Sequence, residues 1–173
     1  MILTRLMRHA MKFGASALVA MMVLSLVLAI TLAAGPRALS AEAGNAYLKQ
    51  NASVSAVETT PSGLQFETQR PGSGERPAPQ DMVLVHYEGS LIDGTVFDSS
   101  YQRGEPAAFP VGGVIPGFAE GLLKMQKGGA YRLVIPSDLA YGPQGQGQIP
   151  PNAVLVFKVE LLEIQKQQAA PAQ

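Results

Sequence analysis

Residues 82–91 alternate apolar and polar side chains and run directly into an Asp-Gly pair, which narrows the fold more than any other stretch. Val83, Val85 and Tyr87 share one face of an extended chain, with Leu84, His86 and Glu88 on the other. That period of two is the mark of a strand with one buried side. Asp93-Gly94 tolerates the positive φ of a tight hairpin, so the chain turns back antiparallel to itself. The pattern recurs. Leu64 and Phe66 alternate with Gln65 and Glu67, and residues 96–99, 107–111, 130–135 and 153–164 are β-rich. In the last of these, Leu155, Phe157, Val159 and Leu161 lie opposite Lys158 and Glu160. Residues 71–79 form a turn-rich loop. One helix interrupts the strands: Pro116 suits its first position, Phe118, Leu122 and Met125 form its apolar stripe, and Gly128-Gly129 stops it. Strands joined by short turns around a single helix predict an α+β class, an antiparallel sheet covering that helix.

The remaining segments frame this unit. Residues 13–34 carry no charge and follow Arg5, Arg8 and Lys12, with small residues at Ala38-Leu39-Ser40 before Ala41. A basic start, an apolar run and small residues predict an export signal over residues 1–40. The run is also long enough to span the ~30 Å hydrocarbon core as a helix, so an uncleaved membrane anchor is the alternative. Either way the basic residues hold the N-terminus inside and the rest faces the exported side. Soluble periplasmic protein and inner-membrane-anchored periplasmic domain are the two locations expected, with membrane contact only through the N-terminal segment. Residues 41–62 read as a short linker: a weak helix over 41–56, where Tyr47 and Leu48 are the only large apolar residues, then an extended join at 57–61. Residues 63–165 make the globular domain, and the Gln/Ala-rich residues 166–173 a disordered tail.

Composition excludes much chemistry. Zero Cys removes disulfides, thiol catalysis and Cys-ligated zinc, and His9 and His86 are too few for a multi-histidine metal site. No metal and no cofactor are expected. The formal net charge is +0, and residues 41–173 hold nine bases against 13 acids, which argues against nucleic-acid binding. His86 sits mid-strand beside Tyr87 and reads as a packed or hydrogen-bonded strand histidine rather than a base. Asp93 is explained by its turn, which weakens a paired-carboxylate reading with Asp98. Residues 142–147 (GPQGQG) lack the Lys-Ser/Thr ending of a phosphate cradle. What stands out is a load of apolar and aromatic residues near turns: Tyr87, Phe97, Phe109, Val114, Ile115, Phe118, Tyr141, Ile149 and Phe157.

In order along the chain, VHYEG at 85–89, DGTVFDSS at 93–100, VIPGF at 114–118, IP at 135–136, AYG at 140–142, and IPPNA at 149–153 with LVFKVEL at 155–161 closely resemble the FKBP-type peptidyl-prolyl cis-trans isomerases. NAYL at 45–48 and TPSGLQF at 60–66 resemble the exported bacterial group that includes the macrophage infectivity potentiators. Those relatives often carry a longer N-terminal dimerisation domain, which the resemblance implies is here missing or reduced to its last turns.

The resemblance implies a strongly bent antiparallel sheet wrapped round the 117–125 helix, with a pocket between them. Asp98, Tyr141, Tyr87 and Phe97 would act on the substrate, while Val114, Ile115, Phe118, Ile149, Phe157 and Phe109 would hold it. Phe118 would be the floor, where many relatives have Trp, and Ala107 would open a side that some relatives close with an aromatic wall. The Ile115 N–H and Tyr141 hydroxyl would bond substrate carbonyls. Alternation does not explain why the neighbours Phe97 and Asp98 both face the pocket, which requires irregular backbone after the hairpin. Substrates would be proline-containing polypeptides, and a macrolide of the FK506 class would be a ligand of the same pocket. The reaction would be rotation about X–Pro bonds; a non-catalytic chaperone holding proline segments in the same groove is the rival reading.

Overall fold

The computed structural model describes residues 36–167. The expected export helix and most of the C-terminal tail lie outside the described residues. Among the described residues no helix is long and apolar enough to cross a membrane.

Helix α1 (Pro36–Ala52) leads into the short strand β1 (Val57–Thr59) and then β2 (Gln65–Arg70). The long strand β3 (Met82–Leu91) is followed by β4 (Val96–Ser99), the four-residue helix α2 (Ser100–Arg103) and β5 (Ala107–Pro110). Helix α3 (Pro116–Lys124) precedes β6 (Ala130–Ile135), and β7 (Leu155–Gln165) closes the sheet. These strands form one antiparallel sheet in the order β1-β2-β6-β7-β3-β4, with β5 also on β3. The alternation read in residues 82–91 is the alternation observed: Val83, Val85 and Tyr87 are buried, with half-buried neighbours between them. The residues read as an extended join pair with β2, Val57 facing Glu67 and Thr59 facing Gln65.

Helix α3 lies on the inner face, as the α+β reading requires. Pro116 is in its first turn, and Phe118 and Leu122 are buried beside Leu133, Leu155 and Leu161. It ends at Lys124, earlier than the glycine pair suggests, and Gly128 instead makes a positive-φ turn into β6. Gly121 permits the close approach, since a Cβ there would lie 2.6 Å from a Leu133 methyl.

The outer face carries a second, smaller core that sequence reading left out. Val134, Val154 and Val156 are buried there under Tyr47 and Leu48 of α1. Gly44 makes the docking close: a Cβ at that position would come within 2.8 Å of the Val154 side chain. Polar groups then fix the register of α1 on the sheet. Arg132 donates to the Tyr47 hydroxyl at 2.7 Å and to Asn51 Oδ1 at 3.0 Å, while Gln65 donates to the Leu48 carbonyl at 2.8 Å. The segment expected to bury little therefore shields a patch of three valines on the outer face of the sheet.

Asp81 is the main buried charge, its side chain only 1% exposed. The Ala78 N–H donates to it at 2.7 Å and Lys166 Nζ at 3.1 Å, while its own carbonyl receives the Val111 N–H at 3.0 Å. The Ala78 hydrogen bond, helped by Lys166, holds the carboxyl below its usual 3.8. A depressed native pKa contributes stability in full well above 3.8 and loses it as the pH falls through the native value. Chemical denaturation of wild type and Asp81→Asn across acidic pH should show the wild-type advantage shrinking below that point. An advantage that stays constant down to pH ~2 would mean the Asp81 charge is not coupled to folding.

Candidate active site

The cleft sits between α3 and the inner face of the sheet, with a volume of about 380 Å³. Tyr87, Phe97, Asp98, Phe109, Val114, Ile115, Phe118, Tyr141 and Phe157 all line it, together with Gly113. Of the residues expected from sequence, Ile149 alone stands apart. Its side chain is buried in the main core. It is carried by a tight turn in which Gln146 and Ile149 exchange backbone hydrogen bonds of 2.9 and 2.8 Å across Gly147, which has φ +55°.

The floor is aromatic. Phe118 is buried, and its ring meets Phe157 edge-on at 5.0 Å and Tyr87 and Phe109 at 6.3 Å each. Phe97 stands at 82° to Phe157, 5.7 Å away. Edge-to-face packing of this kind fixes ring planes as well as burying area. Gly89 is what lets two of these rings close over β3: a Cβ there would lie 2.7 Å from Phe97 and 2.8 Å from Phe157.

The irregular backbone that Phe97 and Asp98 require is a β-bulge. On β3, Gly89 faces Asp98 but the next residue, Ser90, faces Val96. Phe97 is the extra residue, so it and Asp98 escape the strict alternation of a strand and both reach the cleft. Asp98 then receives two hydrogen bonds, from the Tyr87 hydroxyl and from Arg103 Nη1. Arg103 Nη2 also donates to the Tyr87 hydroxyl at 3.1 Å. Burial, and then the Asp98 carboxylate, raise the Tyr87 phenol above its usual 10.0, so it stays a proton donor at neutral pH. The hydrogen bonds to Tyr87 and Asp98 raise the Arg103 pKa, which keeps the guanidinium charged.

Sequence reading missed Arg103. The signal was present in its brackets: Ser99 accepts from the Gln102 N–H as an N-cap, and Gly104 closes the turn at φ 79°. Four residues between such caps place Arg103 at the end of α2, beside Asp98. Two polar groups at the cleft have no partner among the described residues, the backbone N–H of Ile115 and the Tyr141 hydroxyl. Ile115 is extended at φ −57°, ψ 147°, just ahead of α3. Tyr141 is carried by the turn after residues 137–139, where the Gly142 N–H donates to the Ser137 carbonyl at 2.8 Å. An apolar cavity with a donor on one wall and a hydroxyl on another suits a short extended peptide.

An antiparallel sheet packed on one short helix, with an aromatic cleft between them, defines a family. The chain belongs to the FKBP-type peptidyl-prolyl cis-trans isomerase family, whose model matches residues 73–162. It is 57% identical over 129 residues to the FKBP-type 22 kDa peptidyl-prolyl cis-trans isomerase of Escherichia coli (strain K12), covering 74% of this chain and 62% of that one. It is 46% identical over 128 residues to the peptidyl-prolyl cis-trans isomerase Mip of Coxiella burnetii, covering 73% of this chain and 56% of that one. The chain thus spans less than two thirds of either curated relative's length. Among solved structures, FkpA from Escherichia coli superposes with a TM-score of 0.73 at 42% identity, over 90% of this chain and 71% of that one.

Proposed function

We propose that this chain accelerates cis–trans rotation about X–Pro bonds in polypeptides, without metal or cofactor. The observation that carries the reading is the aromatic cleft with one polar corner, Tyr87–Asp98–Arg103, and two hydrogen-bonding groups, at Ile115 and Tyr141, without a partner among the described residues. The barrier to rotation is ~18–20 kcal/mol because resonance stiffens the amide. Rotation breaks no covalent bond, so no nucleophile is needed. A twisted amide has lost its resonance and part of its charge separation, and a water-poor apolar pocket disfavours it less than the planar form. That is binding the transition state better than the ground state.

In this reading Phe118 supports the proline ring, with Phe97, Phe109, Phe157, Val114 and Tyr87 as walls. The Ile115 N–H and Tyr141 hydroxyl fix the flanking carbonyls, and Asp98 faces the rotating amide. A groove that only held peptides would have no use for a carboxylate clamped by Tyr87 and Arg103, which favours turnover over holding alone. The same cavity would accept a macrolide of the FK506 class. Export, as a cleaved periplasmic protein or a tethered one, rests on Arg5, Arg8, Lys12 and the uncharged residues 13–34.

The deciding experiment is a proline-isomerisation assay on the purified chain. Relaxation of a cis Leu–Pro peptide should speed up in proportion to protein concentration and persist in chelator. Well-folded protein with no effect on the relaxation rate would sink the proposal.

A further inference from the structure

Strand β3 has a break along one edge. On that side it pairs with β5 over Met82–Val85 and with β4 over Glu88–Ser90. His86 and Tyr87 fall between the two partners, where the chain leaves the sheet to form α2. The N–H and C=O of Tyr87 point into this break and have no strand to bond. Ser100, the first residue of α2 and fully buried, fills the gap with its side chain. Its Oγ accepts the Tyr87 N–H at 2.8 Å and donates to the Tyr87 carbonyl at 3.2 Å. The same Oγ lies 3.0 Å from His86 Nδ1. With a hydrogen on that nitrogen, the hydroxyl accepts two bonds and donates one, its full complement. His86 is held in turn by stacking on Tyr101, the next residue of α2, with ring centroids 4.7 Å apart.

Three residues beyond Ser100, on the same face of α2, Arg103 holds the other end of Tyr87 by its hydroxyl. One helical turn therefore grips Tyr87 at both backbone and phenol, and Asp98 is bonded to that phenol. We propose that Ser100 is a positioning residue for the isomerase site, its buried hydroxyl setting Tyr87, and through Tyr87 the Asp98 carboxylate, at the cleft. This inference rests on the isomerase reading above. Ser100 touches no substrate; it replaces the missing rungs of the ladder at the one strand position that feeds the polar corner.

The test compares the full chain with Ser100→Ala, which removes the hydroxyl, and Ser100→Cys, which keeps the bulk but bonds weakly. Each is measured alone and in a Tyr87→Phe background. Both single variants should lose about tenfold in kcat/KM, and in the Tyr87→Phe background the further loss should fall below threefold. If the alanine variant does not fold, the cysteine variant, which fills the space, carries the comparison. In whichever variant folds, the Tyr87 amide should exchange its hydrogen at least tenfold faster relative to those of Val85 and Gly89. A folded variant with kcat/KM within twofold of wild type, an equal loss in both backgrounds, or unchanged relative exchange at Tyr87 overturns the inference. An inactive wild-type chain overturns the proposed function and this inference with it, whereas an active wild type with unaffected Ser100 variants overturns this inference alone.

Discussion

Truncating Phe118 to alanine is expected to cost about 3–5 kcal/mol of folding stability and to abolish most isomerase activity. The ring is 4% exposed and meets Phe157, Tyr87 and Phe109 edge-on, so its removal leaves a cavity that three large, fixed neighbours cannot close. It is also the cleft floor. A companion substitution separates the two roles. Leu122 lies one turn further along α3 and is completely buried, but it does not line the cleft. Leu122→Ala should lose a comparable ~2–5 kcal/mol while the protein that remains folded turns over near the wild-type rate. Urea unfolding and the isomerisation assay on both variants decide this. A Phe118→Ala protein that keeps wild-type turnover would show that the floor does not support the reacting proline.

Asp98→Ala carries the second large effect, with the opposite balance. The carboxylate and its Arg103 partner are 42% and 43% exposed, and an ion pair that open contributes roughly 0–1 kcal/mol to stability. Unfolding should therefore change little. Hydrogen bonds to a charged group are worth about 1.5–3 kcal/mol when they matter, roughly 10- to 150-fold in rate. Loss of kcat/KM in that range, with stability within about 1 kcal/mol of wild type, is the expected result. Asp98→Asn should retain part of the activity, since it keeps an acceptor for the Tyr87 hydroxyl. Unchanged turnover in Asp98→Ala would remove the polar corner from the mechanism and leave the apolar walls to account for catalysis.

These two residues also show how differently a fold and a site are written into a chain. Phe118 was visible as part of a helical stripe with Leu122 and Met125, because burial on one side of a helix has a local period. The alternation of β3 and the buried face of β7 were legible for the same reason. The cleft members came from resemblance, residue by residue, since nothing in a one-dimensional pattern distinguishes a core phenylalanine from one facing a cavity. Nine of the ten residues so named meet at the cleft. Ile149 is not among those that line it, although it packs in the same buried cluster as Tyr87, Phe118 and Phe157.

The chain by itself determined the local elements: the strand faces, the Asp-Gly hairpin, the single inner helix, and the absence of thiols from any chemistry it performs. Only the tertiary structure decided what these elements do to one another. A bulge of one residue brought Phe97 and Asp98 to the same cleft, and a gap between β4 and β5 made room for Ser100 against Tyr87. Arg103 became part of the site by the direction in which a four-residue helix left the sheet. Helix α1, weakly amphipathic as a sequence, found an outer face with three valines to cover. The physical reason is common to all four. Side-chain period is set by the backbone and repeats locally, whereas register shifts, strand gaps and docking depend on how separate elements pack, over separations from 5 residues for Arg103 and Asp98 to 85 for Arg132 and Tyr47, and so leave no periodic signal.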